Sequence, residues 1–151
     1  FVLNTGSKNN FPFFIEILRH FRIKQHLIHD SDERYLYEKG IIQNKQDGSP
    51  KRNSAWTLNQ TIWDEIMLCN VSATSPFAKR YVSIRNFEHS HAYSHDPAKG
   101  KPLSAHEYAK TINIDDETVS IIKFIKQIVG KLAIETDFSP EYLEKTVIEP
   151  Y

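Results

Sequence analysis

The N-terminal part of the chain alternates short apolar stretches with polar turns. Residues 2–5 predict the end of a strand and residues 6–10 the turn after it. From residue 11 to 21 the apolar side chains recur at helical spacing, and residues 25–29 predict a second strand. A helix between two strands at this length is typical of a βαβ unit, whose strands lie parallel. The sequence therefore predicts an α/β fold.

Three acidic residues follow predicted strands directly. Asp30 and Asp32 come after the strand at residues 25–29, and Glu88 stands at the end of a strand predicted over residues 80–86. Because ligands of open parallel sheets bind beyond the carboxyl ends of the strands, we expect these carboxylates to converge there. Neighbouring carboxylates repel each other unless a cation or proton intervenes, and Mg²⁺ prefers such oxygen ligands. The pattern favours a divalent-metal site; a solvated or capping Asp-Ser-Asp-Glu turn is the simpler alternative.

The middle and end of the chain predict one loop and several helices. Residues 44–54 contain no apolar side chain, so we expect a long mobile loop over residues 43–56. The predicted helix starts are Thr57 or Asn59, Ser104 with Glu107 in a capping box, Asp115 or Asp116, and Ser139.

Composition limits the classes of protein to consider. The length of 151 residues suits one domain, and 19 basic residues balance 19 acidic ones, so phosphate binding would depend on local clusters of lysine and arginine. The single cysteine, Cys69, excludes a disulfide framework and a cysteine-based zinc site. No apolar run reaches the roughly 18–20 residues that span a bilayer. These features predict a cytoplasmic protein without a membrane segment.

Short motifs in a fixed order resemble those of a known family. Residues 2–32, with Gly6-Ser7-Lys8-Asn9 at the first turn and Asp30-Ser31-Asp32 after the second strand, resemble the Toprim domain. More narrowly, they are similar to the Toprim domain of the OLD-family (overcoming lysogenization defect) nucleases. The resemblance spans residues 2 to 109. Its later motifs are Asn59 with Ile62 at a helix start, Phe87-Glu88 at a strand end and Lys101-Pro102 before a helix.

The resemblance implies a fold and a chemistry. It implies a single Toprim-like (Rossmann-like) domain over residues 1–151, with a parallel sheet flanked by helices and extra C-terminal helices. The implied activity is endonucleolytic cleavage of DNA by two Mg²⁺ ions, or Mn²⁺ in their place, roughly 4 Å apart. Asp30, Asp32 and Glu88 would be the metal ligands, and Lys101 would face the scissile phosphate.

Two further positions near the first turn carry over from the family. Gly6 suits a tight turn beside the metals because glycine tolerates positive φ. For Lys8, contact with a substrate phosphate and plain solvation are both open. Near the other end of the site, Pro102 predicts an extended backbone at Lys101, which would fix the direction of its side chain.

One part of the family pattern is missing from this chain. Toprim domains open with a strand that carries a glutamate motif, which we expect upstream of residue 1, so that this chain alone holds an incomplete active site. OLD-family proteins also carry an N-terminal ATPase, and no Gly-x-x-x-x-Gly-Lys-Ser/Thr loop occurs here. The resemblance thus implies the nuclease part of an ATPase-nuclease in phage defence, with DNA and an upstream ATPase domain as partners, in a homo-oligomer.

Two other classes fit parts of the sequence. A nucleotide-sugar glycosyltransferase also places Asp-x-Asp after a strand to hold Mn²⁺ and a diphosphate, although this chain is short for one. A non-catalytic receiver-like interaction domain would use Asp30 as a phosphoacceptor, but Asn4 and Thr5 do not supply the acidic pair that a receiver needs. The histidines His89, His91 and His95 lie on one predicted loop, where phosphate contact or solvation fits better than zinc.

Overall fold

A computed structural model describes residues 2–71, 73 and 76–146 of the chain. Six helices and four strands occur in these residues: α1 (Phe11–His20), β1 (Gln25–Asp30), β2 (Tyr37–Glu38), β3 (Ile41–Ile42), α2 (Ser54–Asn70), β4 (Ala78–Ser83), α3 (Phe87–Ser90), α4 (Gly100–Thr111), α5 (Ser120–Ile128) and α6 (Pro140–Lys145). A short 3₁₀ turn over Lys8–Asn10 precedes α1. Within this part of the chain, no helix is both long and apolar enough to cross a membrane.

The central sheet consists of β1 and β4, which lie parallel. Their register runs from Gln25 opposite Ala78 to Asp30 opposite Ser83, so both strands end at the same edge. Parallel strands need a long crossover, and here it contains β2, β3 and α2. The predicted mixed α/β class, a small parallel sheet flanked by helices, is confirmed.

The strand predicted at residues 2–5 does not form. These residues have no strand structure, and Val2 is 98% exposed. Local hydrogen bonds replace strand pairing: the Asn4 Oδ1 accepts from the Gly6 N–H, and the Thr5 carbonyl accepts from the Asn10 side-chain amide. The predicted βαβ unit through α1 is therefore wrong, because its first strand has no partner among the described residues.

Two apolar clusters hold the helices on the sheet. Side chains of β1 alternate between buried and exposed, whereas nearly all of those of β4 are buried. One cluster joins α1, α2 and both strands through Ile15, Leu27, Ile62, Ile66, Cys69 and Ala78. The other joins β4 to α2, α5, α6 and the segment before α6 through Trp56, Tyr81, Val82, Ile121, Ile122, Phe124, Phe138 and Leu143. The C-terminal helices are thus part of the core that supports β4.

Helix α2 begins earlier than predicted. It starts at Ser54 rather than at Thr57 or Asn59, because the Asn53 side chain accepts a hydrogen bond from the Ala55 N–H and caps it. The start lies inside the loop predicted over residues 43–56. Before it, residues 34–53 form a hydrogen-bonded arm that contains the antiparallel pair β2–β3 and two further bridges. The mobility predicted for this stretch remains a prediction.

The capping box predicted at Ser104 is wrong. Helix α4 begins at Gly100, whose φ of +74° suits a glycine at a sharp change of chain direction. Ser104 lies inside the helix and is buried. Its hydroxyl accepts a hydrogen bond of 3.0 Å from the Asp96 N–H, so it fastens the preceding loop to the helix.

Of the starts predicted for the last two helices, one is wrong and the other is confirmed. Helix α5 begins at Ser120, several residues after the predicted caps Asp115 and Asp116. The Asp116 carboxylate instead accepts hydrogen bonds from the N–H and hydroxyl of Thr118, which closes a turn before the helix. For α6 the prediction is confirmed, since the Ser139 side chain caps its first turn.

Candidate functional site

Hydrogen bonds tie the segments after β1 and β4 together. The Ser31 N–H donates to the Ser83 carbonyl (2.9 Å), and the Ser31 hydroxyl accepts from the Arg85 N–H (2.7 Å). The Asp32 N–H then donates to the Arg85 carbonyl (2.8 Å). Asp32 and Arg85 have φ of +65° and +67°, a left-handed conformation that aspartate tolerates better than arginine. These bonds hold Asp32 at a fixed place at the edge of the sheet.

A buried amide from α2 braces the same turn. Asn59 lies on the buried stripe of α2 that contains Ile62 and Ile66, and its Nδ2 donates to the Ser31 carbonyl (2.9 Å). The Asn59 carbonyl accepts from the Arg80 guanidinium of β4 (2.6 Å). Asn59 therefore positions the turn. The prediction that it opens a helix is wrong, because α2 starts at Ser54.

Lys8 points into the turn that carries the two aspartates. Its Nζ donates to the Asp30 carbonyl (2.7 Å) and the Asp32 Oδ2 (2.8 Å), and lies 3.4 Å from the Ser31 carbonyl. The side chain is only 13% exposed. Burial lowers the pKa of Lys8, and the hydrogen bond and charge of Asp32 partly oppose that shift. The ammonium thus has three oxygen partners within the fold.

The charges of four other predicted site residues act on the pKa of Asp30. Its pKa is raised from 3.8 to about 6, first by burial and then by the negative charges of Asp32 and Glu88. The positive charges of Lys8 and Lys101 act in the opposite direction. The structure therefore brings the carboxylates after β1 and the Glu88–Lys101 pair close enough for their charges to interact.

Glu88 and Lys101 form an ion pair between two helix starts. The Lys101 Nζ lies 2.7 Å from the Glu88 Oε1, and this contact lowers the pKa of Glu88 and raises that of Lys101. Lys101 is 69% exposed, so water weakens the pair. The expected extended backbone at Lys101 is wrong, because it lies in the first turn of α4. Pro102 fits there since first-turn N–H groups need no helical acceptor.

The carboxylates suit a metal in chemistry but not in their present arrangement. Asp30, Asp32 and Glu88 supply the hard oxygen atoms that Mg²⁺ prefers, and their mutual repulsion would be relieved by a cation. However, among the described residues no group of three or more His, Cys, Asp or Glu side chains is placed to hold one ion. Lys8 and Lys101 already neutralise Asp32 and Glu88.

His29 is packed beneath the site. It is 7% exposed, its Nδ1 lies 2.9 Å from the Asp30 carbonyl, and its ring meets the Phe11 ring edge-on. Burial lowers its pKa to about 3, and its Nε2 has no hydrogen-bond partner among the described residues. His29, Lys8 and the two aspartates line an open pocket of about 290 Å³. His29 is thus a packed, hydrogen-bonded histidine.

The other predicted positions have mixed environments. Gly6 has a φ of +73°, as the tight turn requires. His91 is buried, with its ring nitrogens 2.8 Å from the Ser120 Oγ and 3.4 Å from the Ser83 Oγ, so it joins α5 to β4. His89 is exposed.

The sequence did not predict the roles of several site residues. Ser31 is fully buried and joins the two strand ends, and Arg85 forms a part-buried ion pair with Glu33. A usable signal was present for Asn59, since a polar residue on an apolar helix stripe indicates a buried hydrogen bond. Ser31 and Glu33 each follow an aspartate, in a stretch without a periodic pattern that would reveal burial.

Comparisons of the chain with protein families, with curated proteins and with solved structures found no match. The resemblance to the Toprim domain therefore remains a prediction from sequence motifs.

Proposed function

We propose that this chain is the catalytic part of a divalent-metal-dependent endonuclease that cleaves DNA phosphodiester bonds. Asp30, Asp32 and Glu88 are the metal ligands, with Mg²⁺ as the natural ion and Mn²⁺ as its substitute. The observation that supports this most is the raised pKa of Asp30, which burial causes first and the negative charges of Asp32 and Glu88 increase further. Such repulsion is unfavourable for a metal-free protein and is relieved by cation binding.

Each group has a defined role in the proposal. The metal ions, when bound, activate water and stabilise the leaving oxygen. Ser31 and Asn59 hold the turn that presents the aspartates, through hydrogen bonds of 2.7 and 2.9 Å. Lys101 is exposed and lies beside Glu88, so its ammonium is available to the phosphate as negative charge develops there.

We further propose a Toprim-like arrangement of the OLD-family type for the whole protein. The parallel pair β1–β4 and the order of the site motifs support it. An upstream glutamate strand would complete the ligand set, and an upstream ATPase domain, a homo-oligomeric assembly and a cytoplasmic role in phage defence belong to the same proposal.

The test is nicking of supercoiled plasmid by the full-length protein with Mg²⁺ or Mn²⁺. The Asp30→Asn variant keeps the side-chain shape but removes one ligand charge, so we expect nicking to disappear while folding is retained. Asp115→Asn is the matched control because Asp115 is exposed and lies outside the site, and it should nick normally.

Normal nicking by Asp30→Asn would contradict the proposal. So would metal-independent activity, or the absence of nicking together with measurable binding of a UDP-sugar, which would favour the glycosyltransferase alternative.

A further inference from the structure

The ammonium of Lys8 has the surroundings of a bound cation. It contacts three oxygen atoms, two from main-chain carbonyls at Asp30 and Ser31 and one from the Asp32 carboxylate. An ordinary surface ion pair joins one ammonium to one carboxylate, as in the exposed pair of Lys123 with Glu135. The point that Lys8 occupies is therefore lined by the kind of oxygen atoms that bind cations, and these atoms partly offset the cost of burying the ammonium.

The site also retains a polar atom without a partner. His29, nine-tenths buried, lines the same pocket as Lys8 and the aspartates, and its Nε2 makes no hydrogen bond among the described residues. Buried polar atoms in native proteins are rarely left unsatisfied. This arrangement is consistent with a site whose contacts change when a ligand enters.

Lys8 is placed where it can leave without unfolding the sheet. It belongs to a three-residue 3₁₀ turn before α1, and residues 2–5 ahead of it form no strand. Its hydrogen bonds to β1 and the following turn are made by its flexible side chain. Four rotatable side-chain bonds allow the ammonium to swing into solvent while the backbone stays in place.

We propose that Lys8 is a built-in counter-cation that occupies the carboxylate site until a divalent ion displaces it. The inference rests on the proposed function, because it assigns the regulation of that metal site. It explains why the carboxylates have suitable chemistry but no arrangement that holds an ion: the Asp32 Oδ2 and the Asp30 carbonyl are already bound to Lys8. Metal and lysine then compete for the same oxygen atoms.

Competition predicts opposite effects of a Lys8 variant on metal affinity and on metal-free stability. Lys8→Gln removes the charge and keeps donors for the main-chain oxygens. We expect it to bind Mn²⁺ about ten-fold more tightly than the wild type, the size of an ordinary coupling between two ligands of one site. Without metal, its melting temperature should be lower, and saturating Mn²⁺ should remove most of the difference.

The experiment is a calorimetric titration of the full-length protein with Mn²⁺, beside thermal melts with and without the ion. Lys8→Arg is a second variant that keeps the charge, and its Mn²⁺ affinity should equal that of the wild type or be weaker. Lys99→Gln is the matched control, since it breaks an exposed lysine–glutamate pair and should leave Mn²⁺ affinity unchanged.

The outcomes separate this inference from the proposed function. Equal or weaker Mn²⁺ binding by Lys8→Gln, with clear binding by the wild type, overturns the role of Lys8 and leaves the metal site intact. If a parallel DNA-binding measurement shows that Lys8→Gln loses DNA affinity while its Mn²⁺ affinity is unchanged, the role of Lys8 as a counter-cation is also overturned and Lys8 is assigned to phosphate contact. An absence of Mn²⁺ binding in the wild type and all variants overturns both proposals.

Discussion

The Ser31 hydroxyl accepts a hydrogen bond of 2.7 Å from the main-chain N–H of Arg85, which links the turn after β1 to the turn after β4. Ser31 is fully buried, so this bond is shielded from water. The link continues the parallel pairing of the two strands beyond their last residues. It therefore fixes the positions of the Asp32 carboxylate and the start of α3 relative to each other.

The first prediction concerns the brace from α2. Asn59→Ala removes the donor to the buried Ser31 carbonyl and should lower the free energy of unfolding by about 1–3 kcal/mol. The loss in unfolding free energy should be near the lower value, because the buried Asn59 Oδ1 has no partner among the described residues and its removal is favourable. Urea denaturation measures the change. The control is Gln60→Ala, which removes an exposed hydrogen bond to Asp64. If both variants lose the same free energy of unfolding, Asn59 does not brace the turn.

The second prediction uses the raised pKa of Asp30. In the folded protein its pKa is about 6, above the ordinary 3.8, so the folded state favours the protonated form. Ionisation of Asp30 therefore makes stability fall as pH rises from about 4 through 6. Asp30→Asn, a neutral mimic, should melt at a higher temperature than the wild type at pH 7.5 without metal.

The advantage of Asp30→Asn should shrink through pH 6 and vanish below about pH 4, where the wild-type carboxyl is also neutral in both states. Thermal melts across this range measure it. A variant that is less stable than the wild type at every pH would instead indicate that the Asp30 charge supports the fold.

The third prediction concerns His29, whose pKa is lowered to about 3 by burial. The unfolded chain takes up a proton near the ordinary value of 6.5, but the folded protein does not. The stability that neutral His29 provides is thus complete above pH 6.5 and is lost as pH falls toward 3. His29→Phe keeps the ring and cannot titrate, so its stability should decline less between pH 6.5 and 4 than that of the wild type. Equal slopes in urea denaturation would contradict the assignment.

The sequence allowed part of this site to be located. Asp30 and Asp32 can be predicted as site residues because they follow an apolar strand directly. The carboxyl ends of parallel strands meet at one edge of the sheet. The partner strand β4 was also predicted, with bounds that differ by a few residues. Local periodicity is enough for such elements because it reports which face is buried.

Other features depend on distant parts of the chain and could not be predicted. The strand at residues 2–5 had a suitable pattern but no neighbour to pair with among the described residues. The helix start at Ser104 had capping chemistry, yet its hydroxyl bonds to Asp96 in the preceding loop. The pairing of Lys8 with Asp32 joins residues 24 apart in sequence, and no local pattern encodes it.

The fourth prediction compares two lysines near the start of α4. Lys101 pairs with Glu88 in the site, whereas Lys99 pairs with Glu107 on the surface of the helix. If Lys101 meets the phosphate mainly in the transition state, Lys101→Ala should lower the single-turnover cleavage rate by about 10²–10³-fold with little change in DNA affinity. Lys99→Ala should leave the rate near normal and at most reduce DNA affinity slightly, with a shallower salt dependence. If both substitutions reduce DNA affinity equally and neither changes the cleavage rate, Lys101 belongs to a basic surface and has no catalytic role.

The central claim is that Asp30, Asp32 and Glu88 together bind a divalent cation. The most direct measurement is the dissociation constant for Mn²⁺, with Mg²⁺ as competitor, for the full-length wild type, Asp30→Asn, Glu88→Gln and the exposed control Asp115→Asn. The account predicts saturable binding that Mg²⁺ displaces, retained in Asp115→Asn and weakened at least about ten-fold in each site variant, a loss of roughly 1.4 kcal/mol of binding free energy. Unchanged affinity in Asp30→Asn and Glu88→Gln would contradict it, because the ion would then be bound elsewhere.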